Sequence, residues 1–235
     1  MANIINIDTS TNFCSVALAI DGEVVAGYES SEKMDHSKTL APFVEKCVAY
    51  SREKGIKIDA VAVTMGPGSY TGLRIGLSLA KGLAYGMDIP LITLSSLMVM
   101  AVRAMFTYPE LSGEELIVPM IDARRMEVFT GIYDCGLNNI ESEKAMILDS
   151  NSFSDLSDKG KILFIGDGTE KFKNLYLWEN AEWLGAGLPH AKYMVTLSEK
   201  YFREKRFSDV AYTTPSYLKD YQATTPKEIF PHVKG

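Results

Sequence analysis

Apolar and polar positions change in short runs at the start of the chain. Residues 3–8 (NIINID), 13–20 (FCSVALAI) and 23–29 (EVVAGYE) read as three strands. Asp21-Gly22 supplies a hairpin turn signal between the last two. The chain therefore opens with an antiparallel meander. The period then lengthens: Leu40, Phe43, Val44, Cys47 and Val48 form one apolar stripe, which predicts an amphipathic helix from His36 to about Lys54. Asp35 or Ser37 suits its N-cap and Gly55 its stop. Residues 60–64 (AVAVT) are a short apolar run, the pattern of a buried parallel strand. A helix over 73–85, a strand over 90–94 and a helix over 95–106 follow, the last apolar almost all round and so expected to be buried.

Residues 107–115 (TYPELSGEE) break the pattern with Pro, Ser, Gly and acids, and are read as a linker. They divide the chain into an N-terminal lobe, 1–106, and a C-terminal lobe, 107–235. Strands resume at 116–122 and 127–134, either side of an ARRM turn, and at 161–168, which ends in Gly-Asp-Gly. Helices are expected near 169–178 and 192–206, and the second is a candidate to complete the N-terminal lobe. The tail from Thr213 carries three prolines and is expected to lie extended on the surface. No short repeat occurs, but each half begins with strands joined by a tight turn. The pattern is α/β, with mixed sheets in two lobes.

A chain of 235 residues with 46% apolar content can bury a full core. Its net charge of −6 argues against a dominant electrostatic grip on nucleic acid. Three widely spaced cysteines, Cys14, Cys47 and Cys135, with no CxxC, argue against a disulfide scaffold or a zinc knuckle. The N-terminus lacks the basic region of a signal peptide, and no run is long and apolar enough to span a membrane. The expectation is a cytoplasmic protein without membrane contact.

The stretch GPGSYTGLRIG (66–76) invites a phosphate-binding reading. It fails the Walker A spacing, since only three residues separate Gly68 from Gly72 and Leu73-Arg74 follows. It also fails G-x-G-x-x-G, because the third position falls on Thr71. Ser69 or Thr71 can cap the helix that follows, which is favoured over an anion at the same N–H groups. Gly72, Gly76, Ala80 and Ala84 recur every four residues, and Ser78, Gly82 and Gly86 make a second row. Glycine costs a helix interior about 1 kcal/mol relative to Ala, so these rows imply close approach of another backbone. Packing within the chain is favoured over a helix–helix interface with a second protein.

Chemistry-bearing clusters are sparse. His36, His190 and His232 form no metal-ligand pair, and no G-x-S-x-G elbow occurs. His36 reads as a turn or surface residue. Asp8, Thr9 and Ser10 end the first strand as a phosphate hairpin of an actin-like ATPase would, and Gly166 and Gly168 could face them from the second lobe. A strand-ending turn explains the first group equally well. Asp122, Arg124 and Arg125 make a charged turn whose default role is an internal ion pair.

The segments NIINIDTSTNFCSVAL, HSKTLAPFVEK, VTMGPGSYTGLRIGLSLAKGLA, IDARRMEVFTGIY and PSYLKD, in that order, resemble the bacterial TsaB family, also called YeaZ. The resemblance implies an α/β actin-like ATPase (ASKHA, ribonuclease H-like) fold with two lobes. It implies a non-catalytic subunit in making threonylcarbamoyladenosine next to the tRNA anticodon. Its expected partners are a TsaD-like transferase and a TsaE-like ATPase, with a homodimer when alone and tRNA met only through the complex. By analogy the partner interface would use Leu40, Phe43, Val44 and Cys47 on one helix and Gly72, Gly76 and Ala80 on the next. On that reading Gly76→Leu blocks pairing and leaves the fold largely intact. Relatives often carry Arg where this chain has Lys219, which weakens an inferred ion pair there. The alternative is an actin-like ATPase or small-molecule kinase using Asp8, Thr9, Ser10, Gly166 and Gly168. No metal or cofactor is indicated, and ATP is the one ligand the pattern leaves open. Older glycoprotease-like names for the relatives find no nucleophile or dyad here.

Overall fold

The computed structural model describes residues 1–30, 36–173, 175 and 178–219. Two five-stranded mixed sheets form the frame. In the first, β1 (Ile4–Asp8), β2 (Ser15–Ile20) and β3 (Glu23–Glu29) make the antiparallel meander, and β4 (Ala60–Gly66) and β5 (Leu91–Ser95) add parallel to β1 in the order β3-β2-β1-β4-β5. In the second, β6 (Leu116–Asp122), β7 (Glu127–Tyr133) and β8 (Asn139–Ile147) repeat the meander, and β9 (Ile162–Ile165) and β10 (Ala181–Trp183) add parallel to β6. The order β8-β7-β6-β9-β10 mirrors the first sheet strand for strand. The weak echo between the halves of the sequence is thus a repeated topology.

Helices α1 (His36–Glu53) and α2 (Tyr70–Met87) cover one face of the first sheet. Leu40, Val44 and Cys47 of α1 and Leu77, Ala80 and Ala84 of α2 pack there against Ile5, Ile7, Val16, Val61 and Val63. The opposite face meets α3 (Ser96–Thr107) and α5 (Ala191–Arg203), through Val99, Val102, Ala191, Met194 and Leu197. Another side of α3 carries Leu97, Met100, Ala101 and Ala104 onto Ile117, Ile121, Leu163 and Ile165 of the second sheet. A helix shared by two sheets needs apolar residues nearly all round, which is what 95–106 shows. Beyond the second sheet, Phe153, Phe164, Phe172, Trp178 and Trp183 form an aromatic cluster around the short α4 (Thr169–Lys173).

Several boundaries differ from the sequence reading. Helix α2 begins at Tyr70 rather than 73, because the Ser69 side chain accepts from the Gly72 N–H at 3.2 Å and adds a turn. The expected helix over 169–178 stops at Lys173, and Trp178 is not helical. Strands β8 and β10 have no counterpart in the pattern. Strand β8 (NIESEKAMI) is an edge strand rich in charge, with Ile140 and Ile147 exposed, so its alternation does not mark a buried face. His36 is buried in the first turn of α1, not on the surface. The Asp35 cap and His232 lie outside the described residues.

The described tail, to Lys219, is pinned in extended form. Ser208 N donates to Leu91 O at 2.8 Å, Lys81 Nζ to Ala211 O and Thr213 O at 3.0 and 2.9 Å, and Ser216 N to Met65 O at 2.7 Å. Tyr217 stacks near Tyr70 and accepts from Arg74 Nε at 3.0 Å. Lys219 then pairs with Glu127 on the second sheet, so an ion pair is present at this position.

The two glycine rows of α2 face opposite ways. A Cβ on Gly72 would lie 2.2 Å from the Thr9 carbonyl oxygen, and one on Gly76 would lie 2.1 Å from Thr9 Oγ1. Gly82 and Gly86 are exposed, with open space where a Cβ would point. Gly72→Ala is therefore expected to cost about 1–3 kcal/mol of stability through overpacking against backbone. Gly82→Ala is expected to gain about 0.5–1 kcal/mol from helix propensity. Urea denaturation of both variants checks the contrast, and equal shifts of the same sign would contradict the assignment of the rows.

Candidate functional site

Asp8 ends β1 and is buried, as are Thr9 and Ser10 behind it. Its Oδ1 accepts from Ser10 N at 3.2 Å, Ser10 Oγ at 2.7 Å and Thr64 Oγ1 at 2.7 Å. The turn is clamped from outside by the glycine loop. Ser69 N donates to Ser10 O at 2.7 Å, and a Cβ on Gly68 would stand 2.1 Å from that same oxygen. The loop's glycines thus bring one backbone onto another, and the helix N-terminus is capped by Ser69. Burial pushes the Asp8 carboxyl above its usual range, against the hydrogen bonds from Ser10 and Thr64 that favour the charge.

Gly166 and Gly168 serve the second sheet in a similar way. Gly166 has φ +122°, and a Cβ there would lie 2.1 Å from Met120 O and 2.5 Å from the Met100 side chain. Gly168 N donates to Met120 O at 3.1 Å, and Thr169 Oγ1 to Gly166 O at 2.7 Å. Between them Asp167 accepts from Asp122 N at 2.8 Å, and Asp122 pairs with Lys171 at 2.7 Å. Burial, then the nearby Asp122 charge, raises the Asp167 carboxyl. The charged turn also has its internal contact, since Arg124 N donates to Asp122 Oδ1 at 2.5 Å.

The structure does not join the two groups into one pocket. A cavity of about 300 Å³ borders Asp8, but its other walls come from Thr11, Phe13–Ser15, Glu29, Ser30, Arg103, Ala186 and Leu188–His190. Neither glycine lines it. The 186–190 segment is fixed by Arg103 Nη1, which donates to Leu188 O at 2.7 Å, and by Gly187, whose Cβ would lie 2.5 Å from the Ile165 side chain. At 68, 72, 76, 166 and 168 the chain's own atoms stand where a Cβ would lie, so these glycines serve contacts within the chain. Among the described residues no His/Cys/Asp/Glu group is placed to hold a metal.

The residues set at a partner interface by family analogy lie within the chain. Leu40, Val44, Cys47, Gly72, Gly76 and Ala80 are all buried within the chain. Phe43 is half-buried and stacks on Tyr28 at 5.9 Å. The apolar stripe of α1 and the first glycine row of α2 point at the sheet, because period 3.6 marks the face buried by the chain itself. Gly76→Leu would therefore strike Thr9 rather than leave the fold intact.

Two sheets of repeated topology, with α3 between them, define the class: an α/β chain of the actin-like ATPase fold. A polyphosphate/ATP-glucomannokinase from Arthrobacter shares that fold, with a TM-score of 0.52 at 11% identity. A family model described as "TsaD: tRNA N6-adenosine threonylcarbamoyltransferase" matches residues 24–227. The chain is 32% identical to the Escherichia coli tRNA threonylcarbamoyladenosine biosynthesis protein TsaB, over 92% of this chain and 94% of that protein. The solved structure of YeaZ from Pseudomonas aeruginosa superposes with a TM-score of 0.76 at 28% identity, covering 93% of this chain and all of that one. A tRNA N6-adenosine threonylcarbamoyltransferase from Nitratidesulfovibrio vulgaris matches 40% of this chain at 33% identity, covering 30% of that protein. The chain belongs to the TsaB (YeaZ) family.

The raised Asp8 carboxyl has a consequence for stability. A folded-state value above the unfolded one, about 3.9, means that protonation favours the fold and that ionisation works against it. Stability from this group is present at low pH and is lost as pH rises through the folded value. Asp8→Asn keeps an Oδ1 acceptor for Ser10 and Thr64 and cannot ionise. Its thermal midpoint should exceed the parent's at pH 7, with the gap closing as pH falls to about 4. A gap independent of pH in a two-point melting series would contradict the assignment.

Proposed function

We propose that this chain is a non-catalytic subunit in the biosynthesis of threonylcarbamoyladenosine on tRNA, and that it docks a TsaD-like transferase through the outward face of α1 and α2. The observation that carries the docking face is the second row of α2. Ser78, Gly82 and Gly86 are exposed beside Tyr85, which is 84% exposed, and Met87. Exposed glycines inside a helix cost stability and have no neighbour here that needs the room. A second helix laid across them would use it. Ala41 and Ala49 give α1 small exposed positions on the same side of the sheet. The match to a transferase sequence supports a partner of the same fold, and the name carried by the TsaB relatives supports the pathway.

On this reading the same face forms a homodimer when the chain is alone, a TsaE-like ATPase joins the assembled pair, and tRNA is met through the complex in the cytoplasm. The chain itself works without bound nucleotide, which the filled space around Thr9, Ser10, Gly166 and Gly168 supports.

Light scattering of the chain mixed with its cognate TsaD-like subunit tests the proposal. A one-to-one complex is expected, weakened at least about tenfold by Gly82→Leu, a loss of roughly 1.4 kcal/mol or more. Circular dichroism of that variant should match the parent, since the added side chain points into open space. Retained pairing by folded Gly82→Leu would remove this face from the interface.

A further inference from the structure

The cavity beside Asp8 is a built pocket that the proposed docking role leaves unused. Its polar wall is rich in acceptors. All three hydrogen bonds to the Asp8 side chain fall on Oδ1, leaving Oδ2 of this buried carboxylate for the cavity it borders. Ser15 Oγ accepts from Ala191 N at 2.9 Å and Ser30 Oγ from Cys14 N at 3.0 Å. His190 Nδ1 accepts from Lys192 N at 3.1 Å, so the ring proton sits on Nε2 and goes to Glu29 Oε2 at 2.9 Å. Burial lowers the His190 value, which keeps the ring neutral at pH 7 despite the Glu29 carboxylate. Among the described residues the walls carry two carboxyl groups, Asp8 and Glu29, and one guanidinium, Arg103. That guanidinium is already engaged by Leu188 O at 2.7 Å and by the Tyr193 ring at 5.2 Å.

We propose that this pocket binds a small organic cation, a primary ammonium on a short aliphatic body, with the ammonium on Asp8 Oδ2. The open Oδ2 of buried Asp8 calls for a donor, and an ammonium supplies one together with the opposite charge. Phe13, Ala186, Leu188 and Pro189 supply apolar surface for the remainder of the ligand. The volume of about 300 Å³ is at the small end of ligand pockets. A nucleotide is a poor match, because its phosphates would meet two carboxylates. The inference is independent of the docking role, since none of the lining residues lies on α1 or α2.

The test is amide chemical-shift titration of the full-length, isotope-labelled chain with butylammonium, 1-butanol and magnesium chloride. Butylammonium should give saturable shifts confined to residues around Asp8, Ser15, Ser30 and 186–190. The neutral alcohol should bind at least about tenfold more weakly, as the loss of a charge-assisted hydrogen bond implies. Asp8→Asn should abolish that preference while its spectrum stays dispersed. Ala186→Leu fills the cavity from its exposed side without touching Asp8, and should weaken butylammonium as well. Equal binding of alcohol and amine, absence of saturable shifts, or an unchanged preference in Asp8→Asn would overturn the proposal. Displacement of the amine by magnesium at comparable concentration would overturn it too, by making the site one for metal ions. Should Asp8→Asn lose its fold, the Ala186→Leu titration and the amine-to-alcohol ratio decide.

Discussion

The structure depends most on one close approach of backbone to backbone, residues 66–76 onto the turn at 8–10. Positions 68, 72 and 76 each meet Thr9 or Ser10 where a Cβ would stand. Without side chains there, α2 seats its N-terminus on the end of β1, and Ser69 both donates to Ser10 and caps the helix. The contact buries Asp8, whose Oδ1 then gathers Ser10 and the β4 residue Thr64. It also fixes the rotation of α2 about its axis. With Gly72 and Gly76 turned to Thr9, the residues Ser78, Gly82 and Gly86 have only solvent to face. A helix that accepts roughly 1 kcal/mol per interior glycine gains a tight internal seat from one row and a smooth outer surface from the other.

The second constraint is α3. Its sides feed the cores of both sheets, through Val99 and Val102 on one side and Leu97, Met100, Ala101 and Ala104 on others. The two sheets share a strand order, so each presents a similar apolar face to it. The tail adds a second tie, running from Leu91 past Lys81 and Arg74 to Met65 and on to Glu127. Together with Gly187 set against Ile165, these contacts hold the two sheets in place around the cavity beside Asp8. Gly166 and Gly168 illustrate the point, because their freedom serves the Met120 carbonyl rather than a phosphate.

What the sequence shows follows from which patterns are local. The meander, the stripe of α1 and the buried character of 95–106 are visible because each reflects burial on one element. Strand β8 is hidden, since an edge strand with Glu141, Glu143 and Lys144 owes its place to pairing with β7. The glycines of 66–76 declare close approach but not its direction. Spacing of four in a helix looks the same whether the neighbour is Thr9 of the same chain or another protein. Only the partner atoms separate the rows: Gly72, Gly76 and Ala80 pack inside, as the residue pattern favours, whereas family analogy sets them at an interface. The same ambiguity touches Asp8: its position after β1 is legible, but the filled room around it comes from residues about sixty positions away. The pocket is harder still, for it assembles Ser15, Glu29, Arg103 and His190 from four separate elements.

An outward small-residue face and a buried Asp8 belong to one arrangement. Residues 68, 72 and 76, three glycines in succession along α2 and its approach, meet Thr9 or Ser10. The contact ties α2 to the end of β1 and gives α1 and α2 a firm base. A docking face profits from such a base, since little order is left to impose when a partner arrives. On the proposed reading a homodimer and a complex with a transferase of the same fold would compete for that single face, each laying a similar helix pair across Gly82 and Gly86. An isologous contact of this kind closes after two subunits, so the self-paired form stores the face until the transferase displaces it.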